Sequence, residues 1–140
     1  MGRTNVPQSG IFALGTASHA YLEFDASDPR RSRELVAAIA SLREPRTTMG
    51  GINLVAGFRP ELWSAIAPDD SVADLRGFGE DIKGIEGFVM PATQHDAVLW
   101  LSGSAYDVVF EASRRRSRIC ESSRRWPWRP RAGRTVTTAT

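Results

Sequence analysis

The chain has 140 residues, enough for one domain with a genuine core and too few for two. Its 41% apolar and 24% charged residues are ordinary for a globular chain, and no run of 18 apolar residues exists to form a membrane-spanning helix. The single cysteine, Cys120, excludes an internal disulfide and any metal centre built on several thiolates.

Charge is split along the chain. Residues 1–113 hold eight arginines, one lysine and fifteen acids, whereas residues 114–140 hold nine arginines and one acid, Glu121. Glu23, Asp25 and Asp28 interrupt the first 30 residues, which argues against a signal peptide, and Val6 stands where a myristoylation motif needs Ser or Thr. With a lone thiol, these features lead to the expectation of a cytoplasmic protein.

In chain order, residues 1–8 are polar and loose, ending near Pro7. Ile11–Leu14 is a short apolar piece between Gly10 and Gly15, either a strand or a packed extended segment. His19–Asp25 alternates, with Ala20, Leu22 and Phe24 on one side and His19, Tyr21, Glu23 and Asp25 on the other, as a half-buried strand does. Asp28-Pro29 opens a helix, with Asp28 as N-cap and Pro29 at the first helical position. Leu35, Val36, Ile39 and Leu42 make its apolar stripe, and Pro45 stops it. After the Gly50-Gly51 turn, Ile52–Phe58 reads as a strand, and Glu61–Ala67 as a short helix behind Pro60. Residues 69–91 form a long glycine-rich, charged connection with at most one local turn.

Ala97–Leu101 is five apolar residues in a row, introduced by Thr93-Gln94-His95-Asp96, and reads as a strand buried on both faces. Ser104-Ala105-Tyr106-Asp107 fits a capping box, and Val108, Val109 and Phe110 start the helix behind it. The stripe then gives way to Ser113-Arg114-Arg115-Arg116. Strand, helix, strand, short helix, strand, helix is most of a ferredoxin-like β-α-β-β-α-β arrangement. The expected fold class is therefore α+β, ferredoxin-like over residues 7–113, lacking its last strand, with a disordered tail over 114–140. The missing strand leaves a sheet edge open to self-association.

Candidate chemistry is sparse. His19 and His95 are the only histidines, and no His-x-x-x-His or Cys-x-x-Cys spacing, phosphate loop or Gly-x-Ser-x-Gly occurs. Thr93, Gln94 and Asp96 read as side chains that satisfy backbone groups where the chain joins the sheet, against a catalytic reading centred on His95-Asp96. Arginines around Cys120 would lower a thiol pKa, but the segment is expected to lack order, so no role is read there. The tail has two readings. Nine arginines interleaved with Trp126 and Trp128 can grip nucleic acid or an acidic partner through phosphate contact and stacking. Alternatively, seventeen arginines to one lysine point to a GC-rich gene, in which a shift of reading frame yields such an aperiodic, arginine-rich peptide.

Four pieces stand in order at compatible spacing: Pro7–Thr16, Tyr21–Phe24, Gly50–Trp63 and Pro91–Asp96. Together they resemble the N-terminal half of the dye-decolorizing (DyP-type) haem peroxidases of the bacterial cytoplasmic branch. The resemblance implies a ferredoxin-like half of a two-half protein that binds haem b and uses hydrogen peroxide to oxidise dyes, phenolics and other small aromatic donors. The family's aspartate lies in a Gly-x-x-Asp-Gly motif, beside a distal arginine and an iron-ligating histidine. No Gly-x-x-Asp-Gly is present, Asp96 and Asp107 lie in other contexts, and His19 and His95 fall at positions the family does not use for iron. No catalytic, cofactor-binding or metal residue is therefore assigned, no axial ligand is expected in this chain, and the fragment is expected to be nearly inactive. The alternative is a non-catalytic ferredoxin-like module with a basic tail.

Overall fold

The alternation at His19–Asp25 forms a strand. In the computed structural model, which describes residues 6–26, 28–42, 51–70 and 72–122, β1 spans Ser18–Phe24. α1 (Ser32–Ser41) follows a 3-10 turn, Pro29–Arg31, whose cap is Asp28: its carboxylate accepts from the Arg30 backbone N–H at 3.0 Å. The Arg30 side chain, and then that N–H, hold the Asp28 carboxyl below its ordinary pKa. α1 buries Leu35 and Ile39 and ends at Ser41; Pro45 lies outside the described residues. β2 (Asn53–Phe58) leads through Arg59 into α2 (Pro60–Ile66). Arg33 of α1 reaches the last carbonyls of α2, those of Ala65 and Ile66, where a cation complements the helix dipole.

The long connection holds two-residue strands, β3 (Ile82–Lys83) and β4 (Val89–Met90), paired as a small hairpin. Its turn places Glu86 and Gly87 at positive φ, 55° and 78°. Three side chains tie the connection down. Glu61 accepts from the Gly77 N–H at 2.8 Å, Gln94 from the Phe78 N–H at 2.8 Å, and Asp81 from the Ala92 N–H at 2.7 Å. The Gly77 bond holds the Glu61 carboxyl below its ordinary pKa. A depressed folded-state pKa means that this tie is complete above the unfolded-state value of about 4.3, and weakens as pH falls below it through the folded-state pKa. The NMR shift of the Gly77 amide is expected to titrate with a midpoint below that value, and Glu61→Gln to abolish the titration.

β5 (Ala97–Gly103) is the centre of the main sheet, whose order is β1-β5-β2. Both neighbours run antiparallel to it, so β1 and β2 are parallel with β5 inserted between them, a split β-α-β. The register makes every inward row apolar: Ala20, Leu101 and Leu54; Leu22, Leu99 and Ala56; Phe24, Ala97 and Phe58. Leu35 and Ile39 of α1, with Val109 and Ala112 of α3 (Tyr106–Ser122), close the same core.

Four expectations are corrected. Over Ala97–Leu101, β5 is buried on one face only: Leu99 and Leu101 are 0% exposed, whereas Val98 and Trp100 on the other face are half-buried, because both core helices lie on one side; burial on that second face returns only at Ser102. The piece expected as an extended Ile11–Leu14 contains a 3-10 turn, Ser9–Phe12. Gly10 there lies so close to β2 that an added Cβ would sit 2.8 Å from the Leu54 carbonyl oxygen. α3 begins at Tyr106 with the Ala105 carbonyl accepting from Val109 N–H, which puts Ala105 in the position the capping-box reading gave to Ser104. Finally, the expected boundary at 113/114 falls inside α3, which is helical to Ser122. Arginine is a good helix former, and no glycine or proline breaks residues 104–122, so the backbone continues after the apolar stripe ends. The remainder of the expected disordered tail, residues 123–140, lies outside the described residues.

Candidate functional site

The polar residues before β5 meet the ends of β1 and β2, because the register brings Ala97 beside both Phe24 and Phe58. Asp96 is the hub. Its Oδ2 accepts from the Ala26 N–H at 2.9 Å, its Oδ1 lies 2.8 Å from Arg59 Nη2, and its carbonyl accepts from the Arg59 N–H at 2.9 Å. Its own N–H donates to Asp25 Oδ1 at 3.2 Å. The other oxygen of Asp25 faces His95 Nδ1 at 2.9 Å, and His95 Nε2 faces a Glu23 oxygen at 3.4 Å. One imidazole thus stands between two carboxylates, and one guanidinium is paired to a third, largely buried one.

Beside this network lies an open cleft of about 340 Å³. It is lined by the polar Glu23, Thr93, Gln94 and His95 and by the aromatic Phe58 and Phe78. Gly57 keeps the floor low: a Cβ there would sit 3.0 Å from a Val98 methyl. Gln94 also fixes the Phe78 backbone, so the wall supplied by the long connection is pinned to the sheet.

Gln94 and Asp96 therefore bond backbone groups where the chain joins the sheet, the structural role read from the sequence; Thr93 lines the cleft. Asp25, Glu23 and Arg59, which complete the network, were not singled out from the sequence. The signal was present in part: Glu23 and Asp25 are the acids on the polar side of the His19–Asp25 alternation, and Arg59 directly follows β2.

The two histidines are not brought together. His19 lies on the uncovered face of the sheet, where its Nδ1 accepts from Trp100 Nε1–H at 3.1 Å. Tyr21 stacks on the same indole, with centroids 6.1 Å apart. Chemically, the His95 cluster can orient an imidazole or hold a hydrogen-bond donor. Among the described residues no group of three His, Cys, Asp or Glu side chains is placed to hold a metal ion. No helix among them is long and apolar enough to cross a membrane. Asp107 lies in the first turn of α3, on a different element from the His95 cluster.

No family model matches the chain, and no curated protein matches it. Solved structures do. The chain is similar to a variant of DypB from Rhodococcus jostii RHA1 in complex with heme, at 20% identity and a TM-score of 0.62, over 81% of this chain and 38% of that one. It is also similar to a dye-decolorizing peroxidase from Bacteroides thetaiotaomicron VPI-5482, at 16% identity and a TM-score of 0.56, over 89% of this chain and 41% of that one. The α+β fold is thus shared with DyP-type peroxidases, and the chain spans about two fifths of their length.

Proposed function

We propose, from the fold shared with DyP-type peroxidases, that this chain supplies the N-terminal ferredoxin-like unit of such a haem enzyme and has little or no turnover as it stands. The observation that carries this reading is the sheet order β1-β5-β2 over most of the chain, joined to the similarity with two peroxidase structures. That order is three quarters of a ferredoxin-like sheet, whose fourth strand would lie beside β1. Haem b, hydrogen peroxide and small aromatic donors, with a cytoplasmic setting, belong on this reading to the whole enzyme.

The donor set supports assigning iron ligation elsewhere. His95 has a carboxylate opposite each ring nitrogen. His19 accepts at Nδ1 from Trp100, which in the neutral ring leaves the proton on Nε2 and no lone pair there for a metal. Neither histidine, as held, fits an axial ligand, and no step of peroxide chemistry is routed through them. The role of the His95–Asp25–Asp96–Arg59 network is to join the ends of three strands. The nucleic-acid alternative is less well supported, because Glu111 lies 3.8 and 3.9 Å from Arg114 and Arg115 and offsets part of the basic surface.

The test is a haem titration of the purified chain. It is expected to give no saturable Soret shift and no peroxide-dependent dye oxidation. Saturable binding with turnover would sink the inactive-unit reading.

A further inference from the structure

The cleft beside the His95 network takes no part in joining the strands. Two separate parts of the chain line it: the main sheet supplies Glu23 from β1 and Phe58 from β2, and the long connection supplies Phe78. Both rings are held before anything enters. Phe58 stacks on Trp63 with centroids 5.4 Å apart, and the Phe78 backbone is bonded to Gln94. At about 340 Å³ the cleft lies at the small end of the range that takes small molecules.

The charge of the lining decides what can enter. Among the described residues no lysine or arginine lines the cleft. Arg59, which follows β2, is paired with Asp96 and is not part of the lining. Glu23 contributes a carboxylate, and its side chain is 45% exposed. His95 Nε2 faces one of its oxygens at 3.4 Å, longer than the roughly 2.7–2.9 Å of a charge-assisted hydrogen bond. A carboxylate offers about four acceptor positions, so this contact leaves Glu23 room for a further donor. The Thr93 hydroxyl makes no hydrogen bond among the described residues and is a second acceptor on the lining. Gln94, by contrast, is committed at both ends, to the Phe78 N–H and to the His95 carbonyl. What stays open is a pair of acceptors, one of them charged, beside two phenyl rings. Aromatic faces attract cations, so the rings and the carboxylate favour the same sign of guest.

We propose that this cleft binds a small protonated amine with an apolar body, its ammonium donating to Glu23 and Thr93 and its hydrocarbon part lying against Phe58 and Phe78. The binding needs neither haem nor peroxide and does not rest on the peroxidase reading. A failed haem titration and a failed amine titration are therefore separate results.

The test is an NMR titration of the isotope-labelled 140-residue chain with phenethylammonium, and in parallel with the neutral 2-phenylethanol and the anionic phenylacetate. The amine is expected to saturate with a Kd of about 1 mM or below, shifting the Phe78 and His95 amides. The alcohol should bind about fivefold or more weakly, and the anion more weakly still. Glu23→Gln should weaken the amine about tenfold while leaving the alcohol unchanged, an outcome that a merely structural loss does not give. Phe78→Ala should weaken both. Glu80→Gln removes a carboxylate outside the lining and should change neither. The wild-type series decides the matter even if Glu23→Gln does not fold. No saturable amine binding overturns the proposal. So does an alcohol or an anion that binds as tightly as the amine, or a Glu80→Gln effect equal to that of Glu23→Gln.

Discussion

Leu99→Ala is expected to lower the unfolding free energy by about 3–4 kcal/mol, a large fraction of the roughly 5–15 kcal/mol that holds a domain folded. Leu99 sits at the middle of the central strand, is 0% exposed, and faces Leu22 on one side and Ala56 on the other. Removing its isobutyl group loses the transfer free energy of the buried carbons. It also leaves a cavity that β1 and β2 cannot fill, because each is hydrogen-bonded to the strand that bears it. Leu99→Met keeps the volume and should cost less than about 1.5 kcal/mol. Urea unfolding followed by tryptophan fluorescence measures both. A Leu99→Ala loss of under about 1 kcal/mol would contradict the placement of β5 at the centre of the core.

Asp96→Ala should come next, at about 2–3 kcal/mol, although Asp96 is a polar residue outside any strand. The substitution removes the acceptor of the Ala26 N–H and the counter-ion of Arg59 together. The Asp96 side chain is 15% exposed, so little water is at hand to replace it. The Arg59 Nε is already buried without a partner among the described residues, and although the rest of the side chain is 39% exposed, Asp96 is the carboxylate that pairs its Nη2. Arg59→Met with Asp96→Ala is the closing corner of a double-mutant cycle. It should cost less than the two single changes summed, because the Arg59 charge is no longer stranded. Additivity would mean that the ion pair contributes nothing and that Asp96 acts only through Ala26.

Much of this fold could be read before any coordinates. β1 declared itself by strict alternation, α1 by its Asp28-Pro29 start and its 3.6-residue stripe, and β5 by its uninterrupted apolar run. These are local signals, written within one element. The hairpin β3–β4 was not legible, because two-residue strands have no period to detect. Nor was the one-sided burial of β5 legible. Val98 and Trp100 are apolar although they face away from the helices, so Ala97–Leu101 shows no alternation in composition while alternating in exposure. The apolar stripe behind Phe110 ended as expected, but the helix did not, since arginines sustain backbone helicity, and Arg116, one turn beyond the buried Ala112, is itself partly buried there.

The same division holds for the site. His95 and Asp96 could be named from the sequence as the polar opening of a buried strand, and Gln94 and Asp96 as side chains that bond backbone. Their partners could not, because Asp25 and Glu23 are separated from His95 by about seventy positions and Arg59 by more than thirty. What the sequence determined by itself was the order of the elements and which side chains point inward, since both follow from local propensity and period. Only the tertiary structure decided which strands are neighbours and in what register. A shift of two residues would have kept every apolar side chain in the core while separating Asp96 from Ala26 and Arg59, and His95 from both carboxylates.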